Sequence, residues 1–358
     1  MTTYLLAGGG TAGHVNPLLA VADGLRARAA DDTVLVLGTA EGLESRLVPE
    51  RGYELLIVDK VPFPRRPNGD ALRFPGRFSR AVRTVRRYLR EHGVDVVLGV
   101  GGYASAPAYV AARRERVPYV VHEANARPGL ANVLGARGAA GVGVAFPGTP
   151  LNGGEVVGMP LRPEIARLDR AARRAEALAS FGLDAERPVL LVFGGSLGAK
   201  RINDAIGGAW SDIVAAGWQI LHAAGERAAE VGGGSDGYVV VRYLDRMDLA
   251  FAAADVVLSR AGASTVSEIS ALGIPAIYVP YAVGNGEQRL NAAADVEAGA
   301  AILIDDAELT PDRVRSTVVP LLRDPERLGA MRAAAAGTGT REGTEHVIAM
   351  LDRALARG

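Results

Sequence analysis

The sequence predicts an α/β protein made of two doubly wound, Rossmann-like parallel sheets. Three observations carry that expectation. Apolar runs alternate with helix-like segments along the chain, the pattern of repeated βαβ units. The runs lack clear polar alternation, as parallel strands buried on both faces do. One local design also occurs twice. Residues 3–7 lead into Gly8-Gly9-Gly10-Thr11-Ala12-Gly13-His14, and residues 188–193 lead into Gly194-Gly195-Ser196-Leu197-Gly198-Ala199, each with a helix-like segment after it. A strand, a glycine turn and a helix start set backbone N–H groups and a positive helix end beside an anion. Two copies imply two α/β halves around a phosphate-bearing ligand.

Taken in order, strands are expected at 3–7, 34–37, 95–100 and 119–123, ending at Gly8, Gly38, Gly101-Gly102 and just before Asn125. The second half adds 188–193, 219–222, 238–241, 255–259 and 276–280. Residues 146–163 are dense in Gly and Pro and mark the boundary between halves. A helix over 168–181 opens the second half, and a last helical stretch over about 342–358 can pack on either. In such sheets ligands sit beyond the C-terminal ends of the strands, where the turns discussed below lie.

Composition narrows the function. The 358 residues suit about two domains. A formal net charge of +0 argues against a dedicated nucleic-acid binder. With Cys 0, disulfides, thiolate metal sites and a cysteine nucleophile are excluded. No apolar run approaches the roughly 20 residues of a membrane span. No basic n-region precedes Gly8, so a signal peptide is not expected and the default compartment is the cytoplasm.

Four segments carry candidate chemistry. The turn at 8–13 lacks dinucleotide spacing, and residues 37–39 end the second strand without an acid, so a nicotinamide cofactor is not expected. His14 follows at a helix start. It reads either as a structural cap or as a general base, since a helix N-terminus disfavours the imidazolium. In Ser259-Arg260-Ala261-Gly262-Ala263-Ser264-Thr265-Val266-Ser267-Glu268, Thr265 and Glu268 have capping-box spacing. The alternative has Ser264 and Thr265 donating to a phosphate and Glu268 accepting from ribose hydroxyls. The amides of Gln288 and Asn291, in Gly284-Asn285-Gly286-Glu287-Gln288-Arg289-Leu290-Asn291, suit sugar hydroxyls or simply a polar surface loop. Segment 61–92 holds nine arginines, from Arg65, Arg66 and Arg73 to Arg90, interleaved with Phe63, Phe74 and Phe78. It reads as a solvated arginine face or as a patch for anionic lipid, with arginines at the headgroups and phenylalanines dipping in.

Taken together, GGGTAGHVNP (8–17), GGYASAP (101–107), HEANARPGLAN (122–132), GMPLR (158–162), GGSLGAKRIN (194–203), RAGASTVSE (260–268) and GNGEQRLNA (284–292) resemble the MurG family over nearly the whole chain. The variant GTAGH and the richness in arginine resemble actinobacterial members. The resemblance implies a GT-B fold with an interdomain cleft. It implies domains at 1–161 (acceptor and membrane) and 162–340 (UDP-GlcNAc), with the helix at about 341–358 packing back on the first. It implies GlcNAc transfer from UDP-GlcNAc to the 4-hydroxyl of MurNAc in undecaprenyl-linked lipid I, giving lipid II, with inversion at C1. Thr11, Ala12 and Gly13 would line the donor side of the cleft. Asn125, Arg162, Ser196, Ala263, Ser264, Thr265, Val266, Ser267, Glu268 and Gln288 would contact the donor, and Leu244 would recognise uracil through its backbone. Gly101, Gly102, Tyr103 and Ser105, with residues 8–14, would hold the acceptor pyrophosphate.

His14 is the expected base, with His122 and Glu123 as second candidates that equally suit a structural role. Ala12, where the family often has glycine, and Glu287, where it often has glutamine, depart from the pattern and touch the finer sugar contacts. Helix ends replace a metal in this scheme, so no metal or other cofactor is expected. The further partners implied are the inner face of the cell membrane and cell-wall synthesis proteins. Rival readings are another GT-B transferase, acting on a glycolipid or aglycone, and a UDP-GlcNAc 2-epimerase.

Overall fold

The computed structural model describes residues 1–64, 69–195, 198–226, 235–281 and 286–357. The chain divides into two compact units, Met1–Arg162 with Arg341–Gly358, and Pro163–Thr340.

The first unit holds β1 (Thr3–Ala7), β2 (Thr33–Gly38), β3 (Glu54–Ile57), β4 (Val96–Gly99), β5 (Tyr119–Glu123), β6 (Gly141–Val144) and β7 (Gly154–Val156). They form one sheet in the order β3-β2-β1-β4-β5-β6-β7, and every pairing is parallel. Successive side chains alternate across it, so each strand feeds two cores. Leu5, Leu35 and Val97 pack with Val82, Val85 and Ala108 of the helices Gly69–Glu91 and Ser105–Glu115. Tyr4, Leu6, Val36 and Leu98 pack with the helix Ala12–Arg28 and the closing helix Gly343–Leu355. That closing helix is tied down by Arg28 Nη1 on Asp352 Oδ2 at 2.7 Å. His346 Nδ1 adds a bond to Val157 O at 3.0 Å.

The second unit holds β8 (Val189–Phe193), β9 (Gln219–Ala223), β10 (Tyr238–Val241), β11 (Val256–Ser259), β12 (Ala276–Tyr278) and β13 (Ala301–Leu303). Their order is β10-β9-β8-β11-β12-β13, again all parallel. All five residues of β8 are buried, which is why that run shows no polar alternation.

Four strands, β3, β6, β7 and β13, are absent from the sequence expectation. In β6 the reason is packing. A Cβ on Gly141 or Gly143 would press on Met350 of the closing helix, so glycine stands where strand propensity asks for a branched residue.

Candidate functional site

In each sheet the strand order reverses once, between β1 and β4 in the first unit and between β8 and β11 in the second. Chains leaving neighbouring strands at such a switch point part to opposite faces and open a crevice at the C-terminal edge. Four of the motif strings quoted above begin there. Residues 8–11 follow β1, residues 100–104 follow β4, residues 194 and 195 follow β8, and residues 260–262 follow β11.

In the first unit the two turns are in contact. Gly102, at φ +83, has no room for a side chain, because a Cβ there would collide with the Gly9 backbone. A Cβ on Gly101 would lie 3.0 Å from His14 Nε2, so the imidazole rests on the second turn. Thr11 Oγ1 lies 3.2 Å from His14 Nδ1. Burial lowers the His14 pKa, and the carboxylates of Glu123 and Glu44 oppose the shift without reversing it. With Nδ1–H donating to Thr11, a neutral His14 leaves Nε2 able to take a proton. Gly13 and Thr11 stand at the start of the helix Ala12–Arg28, where the His14 and Val15 amides turn back to Thr11 O and the amides before them precede any intrahelical acceptor. The side chain of Ala12 lies outside the described residues. Tyr103 is 38% exposed, with Lys60 Nζ 5.2 Å from its ring centroid.

Two first-unit expectations are corrected. Ser105 is fully buried, and its hydroxyl accepts from Gly101 N at 3.0 Å and lies 2.8 Å from Ala7 O and 2.7 Å from Gly101 O. It knots the end of β1 to the glycine turn and does not face a pyrophosphate. His122 is 0% exposed, and its Nε2 donates to Gly158 O at 2.9 Å. Sealed from substrate, it holds the segment that leads out of β7, which gives it the structural role; burial also lowers its pKa. Glu123 is buried as well, accepting from the amides of Asn125 and Gly129 and from the Asn132 side chain, each at 2.9 Å. Asn125 turns its own side chain to Glu123, and Arg162 is half-buried at the last position of the first stretch of the unit.

In the second unit a cavity of about 990 Å³ opens at the switch point, with Gly194, Gly195, Arg260, Thr265 and Gln288 among its lining residues. The helix Ala263–Ala271 begins with Gly262 as its cap, so Thr265 is inside the helix and forms no capping box with Glu268. That correction favours the phosphate reading of the motif. The Ser264 hydroxyl oxygen is buried and has no partner among the described residues, an acceptor or donor held ready at a helix N-terminus. Val266 faces the core, Ala263 is buried, and Ser267 and Glu268 are half-buried. Gln288 Oε1 accepts from Tyr281 N at 2.9 Å, which fixes the side chain at the cavity wall. Asn291 is buried and donates to Ala261 O at 3.2 Å, so it braces the turn after β11 and not a sugar. Leu244 is buried just after β10. Ser196 lies outside the described residues.

Sequence reasoning missed the charged wall of this cavity. Arg260 Nη1 lies 2.6 Å from Asp306 Oδ1 and donates to Val279 O at 3.0 Å. Arg201 Nε sits 3.2 Å from Asp306 Oδ2. Two guanidinium groups against one carboxylate leave a local excess of positive charge beside the glycine turn. Arg260 was visible inside RAGAST, but its partner Asp306 lies in an unremarkable stretch after β13.

The comparisons with known proteins agree with this layout. Residues 4–144 match the glycosyltransferase family 28 N-terminal domain, and residues 189–347 match the family 28 C-terminal domain. The chain is 60% identical to a Clavibacter sepedonicus protein named UDP-N-acetylglucosamine–N-acetylmuramyl-(pentapeptide) pyrophosphoryl-undecaprenol N-acetylglucosamine transferase, over 99% of this chain and 97% of that one. It is 51% identical to the Streptomyces coelicolor protein of the same name, over 98% of each. The crystal structure of Acinetobacter baumannii MurG superposes with a TM-score of 0.82 at 27% identity, covering 99% of this chain and 100% of that one. The chain has the GT-B fold and belongs to the MurG family of glycosyltransferases.

Proposed function

We propose that the protein transfers GlcNAc from UDP-GlcNAc to the 4-hydroxyl of the MurNAc residue in lipid I, giving lipid II for peptidoglycan synthesis. The observation that carries this reading is the pair of switch-point sites with different chemistry. One has a neutral imidazole able to take a proton, and the other has a cationic cavity suited to a diphosphate. Relatives 60% and 51% identical to this chain bear the name of this activity.

The acceptor unit is the first one. Thr11, Ala12 and Gly13 face the donor sugar and, as part of residues 8–14, receive the acceptor pyrophosphate together with the turn at Gly101 and Gly102, and Tyr103 flanks it. His14 Nε2 accepts the proton of the 4-hydroxyl as oxygen attacks C1 opposite the UDP group, which converts the α-linked donor to a β-linkage. The donor unit is the second. The start of the helix Ala263–Ala271, Ser264, Thr265, the loop containing Ser196, and Arg260 stabilise charge that grows on the UDP diphosphate. Glu268 takes the ribose, Gln288 the GlcNAc hydroxyls, and the Leu244 backbone the uracil, with Asn125 and Arg162 as further donor contacts. This scheme needs no obligatory metal, and turnover is expected to survive EDTA.

The Arg-rich segment supports attachment to the cytoplasmic membrane face. No helix among the described residues is long and apolar enough to cross a membrane. Phe63, Phe74 and Phe78 cluster at ring-centroid distances of 5.4 to 6.4 Å, and Phe74 and Phe78 pack against the first core, which commits much of their apolar surface to the protein itself. The surface instead presents Leu72, 86% exposed, with the exposed Arg73, Arg80 and Arg83. Arg86 and Arg90 are held by Glu115. Arg65 and Arg66 lie outside the described residues.

The test of the reaction is incubation with labelled UDP-GlcNAc, with and without a lipid I analogue. Label transfer only with the analogue supports it. UDP-ManNAc formed without acceptor would replace it with the epimerase reading.

A further inference from the structure

Beneath the first glycine turn lies a carboxylate that the transfer scheme does not use. Glu44 opens the helix Glu44–Glu50 and is 1% exposed. Its Oε2 accepts from Gly10 N at 2.7 Å. Its Oε1 accepts from Thr39 N at 2.9 Å and from Thr39 Oγ1 at 2.8 Å. Among the described residues no cation pairs with it. Burial pushes its pKa up, but the amides of Gly10, Thr39 and Glu44 itself and the Thr39 hydroxyl outweigh that, and the carboxyl sits below its ordinary range. It is therefore a buried anion held wholly by hydrogen bonds.

The surroundings are shaped around this group. A Cβ on Gly9, at φ +151, or on Gly42 would collide with the carboxylate, and one on Gly38 would collide with its Cγ. Glycines from the turn after β1 and from the stretch after β2 thus enclose one side chain. The consequence for the turn is directional. The Gly8 amide donates to Leu37 O and the Gly10 amide to Glu44, so both point inward. Two amides of the turn are thereby committed to the protein's own acceptors, and the helix start that follows, at residues 11–13, is the stretch that carries His14 onto Gly101.

We propose that Glu44 is a positioning residue for the acceptor: it pulls Gly10 inward, fixes the turn at residues 8–13, and so aims the helix-start amides and the His14 ring at the acceptor pyrophosphate and hydroxyl. This rests on the assignment of the first unit to the acceptor. A buried negative charge near a pyrophosphate is unfavourable by itself, so its presence there fits a role in shaping the turn and not in binding.

The test is steady-state kinetics of the full-length protein with UDP-GlcNAc and a soluble lipid I analogue, each varied in turn. Glu44→Gln keeps the shape but replaces one accepting oxygen by an NH2 group, which cannot take the Gly10 or Thr39 hydrogen bond. It is expected to raise the KM for the acceptor at least tenfold, with the KM for UDP-GlcNAc within twofold of wild type. Thr39→Val, which removes one donor from the carboxylate, should move the acceptor KM in the same direction by a smaller factor, and it decides the matter if Glu44→Gln does not fold. Equal changes in both KM values, or an unchanged acceptor KM, in a variant with wild-type melting behaviour would overturn the role of Glu44 alone. Absence of transfer by the wild-type protein would overturn the acceptor assignment and this inference together.

Discussion

The two switch-point sites share a backbone plan and differ in the sign of the charge behind it. In the first unit the glycine turn is backed by the buried carboxylate of Glu44, and the buried Glu123 acts on His14 through its charge. In the second the turn is flanked by the guanidinium groups of Arg201 and Arg260 around Asp306. Each unit also places a histidine of lowered pKa near its turn, with opposite consequences. His14 is half open and can react. His222 is fully buried between Tyr238 OH at 2.9 Å and Asn203 Oδ1 at 3.1 Å. A common fold therefore supplies where a ligand sits, and a few side chains beneath the turn supply what is done to it.

The largest test of this contrast is His14→Ala. Loss of a general base costs roughly 10²- to 10⁴-fold in turnover. The variant should lose kcat on that scale while UDP binding, measured by calorimetry, stays at the wild-type level. The acid limb of the kcat profile should fall below the ordinary histidine value of 6.5, because burial lowers the His14 pKa. Unchanged turnover would remove the chemical difference between the two turns.

The second test concerns His222, whose pKa burial lowers to about 4. It must be neutral in the folded state, with Tyr238 donating to Nδ1 and Nε2–H donating to Asn203. Asn203 in turn donates to Ala224 O at 2.9 Å, the carbonyl that Gly198 of the glycine turn packs against. An unfolded histidine gains its proton near pH 6.5, so this contribution is complete above that pH and is lost as pH falls from 6.5 to about 4. The loss amounts to about 3 kcal/mol at 1.36 kcal/mol per pKa unit. Both tryptophans, Trp210 and Trp218, lie in the second unit, so urea unfolding followed by their fluorescence reports on that unit. His222→Phe should flatten the decline of stability across this pH window. A slope equal to that of wild type would show that His222 does not brace the turn.

These contrasts were only partly legible in the sequence. The strand–glycine–helix units, the parallel sheets and His14 could be read because each is local: a run of apolar residues, a turn and the next residue. The partners that decide the chemistry could not. Glu44 is one acid among many until the fold brings it under Gly10, thirty-four positions away. Asp306 gains meaning only against Arg260. Ser105, His122 and Asn291 stand in motif strings and look like ligand contacts, yet all three are buried and hold backbone carbonyls, His122 from a strand and the other two from helix ends. A motif records residues a site needs, and sequence alone does not separate those that touch a ligand from those that hold the loop. The strand β6 was hidden for a related reason, since its glycines answer to a helix two hundred residues later.

Arg260→Ala is the next test in size. It removes a guanidinium that Asp306 and Val279 O hold at the cavity wall. Charged hydrogen bonds contribute about 1.5–3 kcal/mol each, so kcat/KM for UDP-GlcNAc should fall roughly 10- to 100-fold. The KM for the acceptor should stay near the wild-type value. An equal loss on both substrates would blur the assignment of cationic chemistry to the second unit.

The smallest effect tests whether the difference between units extends to the outer surface. Arg80 and Arg83 are exposed on the helix Gly69–Glu91 of the first unit and have no acidic partner among the described residues, unlike Arg86 and Arg90. Near an anionic bilayer each such residue contributes about 1 kcal/mol, so changing both to Gln should weaken binding to sedimented anionic vesicles by roughly 30-fold. Changing the exposed Arg327 and Arg332, on the helix Pro325–Ala335 of the second unit, removes the same charge and serves as the control. It should leave sedimentation unaltered, and raised salt should abolish the difference between the two pairs. Equal losses from both pairs would mean that net charge draws the protein to lipid. A loss confined to Arg80 and Arg83 would mean that the first unit, the one proposed to take the acceptor, presents the surface that meets the membrane.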